Sequence, residues 1–259
     1  MIFAALLLFS TSLLNVTPSP VFADVYIGAT GPYRFVIDTG SQTSLIDPKL
    51  AGELRLKPEF RVELVTQQSS QLVPGTTLTN IRVRNRVFPG TEVVFRDVSE
   101  LRNLDPSVKG VLGANALKNF DFTLSPPTGV LEDTTERPAG EVVPFDVIDG
   151  RIAIKARMGE ETLTLVLDSG ANHIVLFRLP AAMAKVHPVP TTLKTIEGAR
   201  SVVPTCWSAE MVLGERLRIE TLPAGIVQAN GNHVDGLLPA SIFKKIHVDQ
   251  SRHELVLVR

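Results

Sequence analysis

Apolar residues along this chain fall in short runs bounded by Gly, Pro and Asn, rather than at helical spacing. Tyr33–Ile37, Ile81–Val87, Glu92–Phe95, Ile152–Ala156 and Thr162–Leu167 are such runs, rich in Val, Ile, Leu, Phe and Thr. That pattern predicts strands, and many short strands at even spacing predict an all-β barrel or sandwich. Only Pro48–Leu54, Ala114–Asn119, Leu179–Lys185 and Ala240–Lys245 read as short helices. Leu131–Gly140 (LEDTTERPAG) is polar and rich in breakers, and reads as a linker. At the start, Met1–Val16 is apolar except for Ser10, Thr11, Ser12 and Asn15. It is too short and too broken to span a bilayer comfortably. A signal-peptide core fits better, although no Lys or Arg precedes it; a buried first helix is the alternative.

Around the linker the pattern repeats itself. Phe35-Val36-Ile37-Asp38-Thr39-Gly40-Ser41 in the first half answers to Leu165-Val166-Leu167-Asp168-Ser169-Gly170-Ala171 in the second. Downstream, Val108-Lys109-Gly110-Val111-Leu112-Gly113-Ala114 answers to Val234-Asp235-Gly236-Leu237-Leu238-Pro239-Ala240. Each half then closes with two more apolar runs, Phe120–Leu124 and Gly129–Leu131, then Ile246–Val248 and Glu254–Val258. One Asp-Thr/Ser-Gly would arise by chance on the order of 0.1 times at average usage, and alone would be a turn after a strand. Two copies in matched settings predict two homologous lobes, residues 18–131 and 147–259, joined by 132–146 behind a leader or anchor at 1–17. The same alignment sets Arg151–Gly159 against Pro20–Gly28, so Val21–Ile27 should be a strand, and cleavage of a leader after Ala23 would cut it. Cleavage between about Ser10 and Pro18, or retention as an anchor, is the expectation.

Composition narrows the chemistry. A net charge of −1 over 259 residues gives no electrostatic case for nucleic acid. One cysteine, Cys206, excludes a disulfide scaffold and a cysteine metal site, and the five histidines lack ligand spacing. No metal and no cofactor are expected. The repeated Asp-Thr/Ser-Gly instead suggests a pair of carboxyls. An apolar strand delivers each Asp to a dry place, Gly permits the tight turn, and the hydroxyl of Thr39 or Ser169 can reach backbone across the junction. Two such carboxyls share one proton: the ionised member takes a proton from water, the protonated member polarises a carbonyl.

With these residues the chain resembles aspartic peptidases of the retropepsin/pepsin clan, and most of all bacterial single-chain proteins with two fused retropepsin-like lobes. The resemblance covers about residues 20–131 and 147–258. It implies an all-β bilobal acid-protease fold of two closed-barrel lobes, Asp38 and Asp168 as catalytic pair, and Thr39, Gly40, Ser41, Ser169, Gly170 and Ala171 as loop support. It also implies a hairpin flap in each half, within Val65–Leu78 and Thr195–Val203, in loop-like stretches holding Gly75 and Gly198. Departures are Pro239 where the family has Gly, no aromatic residue in either flap, and small lobes. In pepsin-like relatives a hydroxyl at the Ser41 position donates to the neighbouring aspartate. Ala171 offers none, so Asp38 is expected to be the ionised member and Asp168 the protonated one.

Other candidates have plainer expectations. Cys206 and Trp207 read as a packed core pair, and His173 as a solvated or hydrogen-bonded loop residue. Gln42 and Asn172 should satisfy local backbone, and Arg82, Arg84 and Arg86 should line one solvated strand face. The expected function is an exported, periplasmic or extracellular endopeptidase, a monomer with an intramolecular lobe pair, acting on an extended peptide or protein. A catalytically silent peptide binder and a processing enzyme with one dedicated client stay open beside it.

Overall fold

Three consecutive apolar residues precede each Asp because each delivering strand is covered on both faces. The computed structural model describes residues 2–3, 8–10, 20–65, 70–88, 90–132, 136–185, 187–195, 200–227 and 233–259. In the first half, Val21–Ile27 and Thr30–Ile37 form an antiparallel hairpin, and Val108–Leu112 lies parallel to the second strand, with Val36 opposite Val111 and Ile37 opposite Leu112. In the second, Arg151–Met158 pairs antiparallel with Glu161–Asp168, beside which Gly236–Pro239 lies parallel, with Leu167 opposite Leu238. Phe35 and Ile37 face the main apolar core, whereas Val36 faces a smaller cluster with Leu45, Val94 and Val111. Leu165 and Leu167 divide from Val166 in the same way. The architecture is all-β, with short α-helices only at Pro48–Glu53 and Ala114–Leu117 among the described residues. No helix among them is long and apolar enough to cross a membrane.

A further sheet ties the halves together. Phe122–Ser125 pairs with Val130–Glu132 on one side and with Lys245–Asp249 on the other. Glu254–Val258 pairs with Lys245–Asp249 and with Glu141–Ile148, while Val130 pairs with Phe22. Strands from both ends of the chain therefore share one sheet.

Several expectations change. Leu179–Lys185 holds only a 3-10 turn at Ala181–Met183, because Pro188 and Pro190 turn the following chain towards extended backbone. Ala240–Lys245 holds a 3-10 turn at Ala240–Ile242, and Lys245 already belongs to a strand paired on both sides. Ile81–Val87 is two strands, Ile81–Val83 and Arg86–Phe88, joined at Arg84–Asn85 with Arg84 at φ 51°. The three arginines do not line one strand face: Arg84 is in the turn, and the Arg82 guanidinium lies 3.9 Å from the Tyr26 ring centroid. The 132–146 linker is partly strand, since Glu141–Ile148 pairs with Glu254–Val258; residues 133–135 lie outside the described residues.

Candidate active site

Each Asp-Thr/Ser-Gly sits where its strand ends, and local backbone holds the carboxyl. Asp38 Oδ1 accepts from the N–H groups of Gly40 (3.0 Å) and Ser41 (3.1 Å). Asp168 Oδ1 accepts from those of Gly170 (2.7 Å) and Ala171 (3.1 Å). The two turns are clasped reciprocally. Thr39 Oγ1 donates to Leu167 O at 2.7 Å and accepts from Ser169 N at 3.0 Å. Ser169 Oγ donates to Ile37 O at 2.8 Å and accepts from Thr39 N at 3.0 Å. Each hydroxyl therefore satisfies one donor and one acceptor of the other half, and their mutual approach is 3.4 Å.

Gly40 has a steric reason of its own. A Cβ there would lie 2.4–2.7 Å from the carboxyl atoms of Asp168, so only glycine lets that carboxyl press against the opposite turn. Asp38 and Asp168 are 1% and 0% exposed. Burial, then the facing Asp168 charge, raises Asp38 well above the usual carboxylate range. Burial raises Asp168 to about 6, opposed by the Gly170 N–H, by a hydrogen bond from Asp38 and, further down, by the Arg151 charge. The shared proton therefore rests on Asp38, hydrogen-bonded towards Asp168.

That reverses the expected roles, and the reason is visible. Ser41 Oγ donates to Thr43 O at 2.9 Å and does not serve a carboxylate. Ala171 is buried, and its N–H alone serves Asp168. The residue that separates the two acids is Arg151, which the sequence gave no reason to single out. It begins a strand after the Asp149–Gly150 turn, is 9% exposed, and places Nη2 3.4 Å from Asp149 Oδ2. The aligned position in the first half is Pro20, so the guanidinium acts from one side only. An aligned pair with charge on one member is the signal that could have found it.

Below the turns, Gly113 N donates to Ser44 Oγ at 3.1 Å, and a Cβ on Gly113 would meet Thr43 O at 2.7 Å. Pro239 stands opposite Asp168 in the parallel pair, at φ −67°. His173 is buried rather than solvated; its Nδ1 lies 2.6 Å from Asn172 Oδ1, so Asn172 serves a side chain, and burial lowers the imidazole pKa. Gln42 is half-buried. Cys206 is buried, but Trp207 is 52% exposed and is no core partner. The flap regions are hairpins, Phe60–Val65 with Ser70–Leu78 and Val189–Thr195 with Arg200–Trp207. Gly75 is not in a loop: it lies in a strand opposite Phe60, whose ring a Cβ would strike at 2.3 Å. Gly198 lies outside the described residues. Among the described residues no cluster of His, Cys, Asp and Glu could hold a metal ion.

Two buried, clasped Asp-Thr/Ser-Gly turns find their counterpart among known proteins. Residues 23–116 match the aspartyl protease family. The chain is similar to retropepsin-like aspartic peptidases, and its all-β fold agrees with that class. Among solved structures it is similar to a retropepsin-like aspartic protease from Rickettsia conorii, at 17% identity and a TM-score of 0.30, over 45% of this chain and 86% of that one. No curated protein matches. The aspartyl protease match includes Asp38 and ends before the second Asp-Ser-Gly, so the second carboxyl stands on this chain's own sequence and geometry.

Proposed function

We propose that this chain is an aspartic endopeptidase of two fused lobes that hydrolyses peptide bonds with a water activated between Asp38 and Asp168. The reading is carried by the packing of the Asp168 carboxyl against Gly40, inside a clasp that each half completes for the other. Asp168 takes a proton from the water as its oxygen bonds to the peptide carbonyl carbon. Asp38 gives its proton to the carbonyl oxygen. Collapse of the resulting gem-diol breaks the C–N bond, Asp168 returns its proton to the leaving nitrogen, and Asp38 recovers one from a diol hydroxyl. Both acids belong to one chain, which supports a monomeric enzyme. The two hairpins supply strand edges suited to an extended peptide.

Export is part of the reading. Val21–Ile27 is paired along both edges, to Thr30–Ile37 and Ile81–Val83, which argues against a leader cut after Ala23. An exported protein whose N-terminal sequence began at Asp24 would refute that placement.

The test is digestion of a peptide library from pH 3 to 8, with and without a statine-type transition-state mimic. Cleavage that is blocked by the mimic and lost in both Asp38→Asn and Asp168→Asn supports the reading. Because Asp168 titrates near 6, the acid limb of kcat/KM should fall below about pH 6; an optimum at pH 3–4 would contradict the roles given. No cleavage by the wild type, with equal peptide binding by the Asn variants, gives the silent-binder function instead.

A further inference from the structure

Resting on the two-lobe peptidase reading, we infer that residues 2–10 are an internal occupant of the two hairpin edges that a peptide substrate would use. Phe60–Val65 has Ser70–Leu78 on one side; on its other side Ile2–Phe3 lies parallel, with Ile2 opposite Leu64 and Phe3 opposite Val65. Val189–Thr195 has Arg200–Trp207 on one side; on its other side Leu8–Ser10 lies antiparallel, with Ser10 opposite Leu193 and Leu8 opposite Thr195. These are the first strands of the matched hairpins. An uncovered strand edge is a template for an added strand, which is how extended peptides are captured. Here both edges are taken by the same short stretch of the chain.

The strand senses carry the argument further. Strands related by a two-fold axis run in opposite directions along a line that crosses the axis. One chain travelling across such an axis therefore meets one of the pair in parallel and the other in antiparallel sense. That is the observed combination. Phe3 and Leu8 are five residues apart, a reach of at most about 18 Å, so both edges lie within the length of one short peptide. The occupant is also a leader by sequence, apolar at Ile2, Phe3, Leu8 and Phe9. Cleavage between Ser10 and Pro18, as expected for export, would detach it and uncover both edges in a single step.

The full-length chain tests this with Ser10→Cys and Leu193→Cys together, native Cys206 and the single variants serving as controls. Mild oxidation should form a 10–193 disulfide, mapped by mass spectrometry. The probe is a labelled peptide of residues 2–10 with a C-terminal lysine tail. It should bind Phe9→Pro, in which proline removes an edge N–H, about ten-fold or more tighter than it binds the wild type, because a tethered competitor acts at millimolar effective concentration. It should not bind the oxidised double variant. Absence of the disulfide, or equal binding to the oxidised and reduced forms, overturns the inference. If library peptides are cleaved, reduction should raise the rate at least as much as it raises binding. If nothing cleaves in any form while binding still tracks the disulfide, the peptidase reading fails and the occupant stands.

Discussion

Burial holds protons on Asp38 and Asp168 that the unfolded chain has already released, and this ties stability to pH with a definite sign. A folded-state pKa raised above 3.8 contributes stability that is complete below that value and is lost as pH rises through about 6. For Asp168 the loss is on the order of 3 kcal/mol. Asp168→Asn should therefore be more stable than the wild type in urea at pH 7, with the difference gone by pH 3.5; equal destabilisation at both pH values would refute it. Thr39→Val should cost about 2–4 kcal/mol by stranding Leu167 O and Ser169 N in the interior, while Thr39→Ser should stay within about 1 kcal/mol. Thermal unfolding of the pair decides it. The two acids and the clasping hydroxyls were legible because the repeat picked them out. The direction of the Ser41 hydroxyl was not, since Thr43 O and a carboxylate are both within reach of such a side chain. Arg151 was hidden for another reason: a charged residue after Asp-Gly looks like an ordinary exposed turn.

Among elements, Pro239 is the departure that the structure makes orderly. Gly113 needs its N–H for Ser44 Oγ and has no room for a Cβ. The aligned positions in the second half are Pro239 and buried Ile174, so donor and acceptor are missing together and nothing is left unpaired. Gly113→Ala should cost roughly 2–4 kcal/mol by forcing backbone apart, whereas Pro239→Ala should stay within about 1 kcal/mol. Urea midpoints that fail to separate the two variants would remove the distinction. Strands with unbroken apolar runs were plain in the sequence, for the period is unmistakable. The split of Ile81–Val87 was not, because its turn takes Arg84 to positive φ, without the glycine that usually announces one. The helix predicted at Ala240–Lys245 lost its last residue to strand pairing across the whole chain length, which no local pattern reports.

For the whole molecule, the sheet joining the halves carries a second pH dependence of opposite sign. His247 is buried there with Nδ1 2.9 Å from Thr123 Oγ1, and burial lowers its pKa from 6.5. The groups around it are Asp121 and Asp249, which favour its charge, and Arg137, which opposes it. A lowered histidine contributes stability that is complete above 6.5 and is lost as pH falls through its folded value. His247→Gln should flatten the fall of the urea midpoint between pH 7 and 5; an unchanged slope would place the dependence elsewhere.

The strand Glu254–Val258 lies inside that sheet, between Lys245–Asp249 and Glu141–Ile148. It is also among the last residues to be synthesised. A ribosome adding about 5–20 residues per second holds this strand in its tunnel until the chain is released, so the sheet that joins the halves cannot close during translation. The nascent protein leaves the ribosome with its halves unjoined, in the open condition that an export channel accepts.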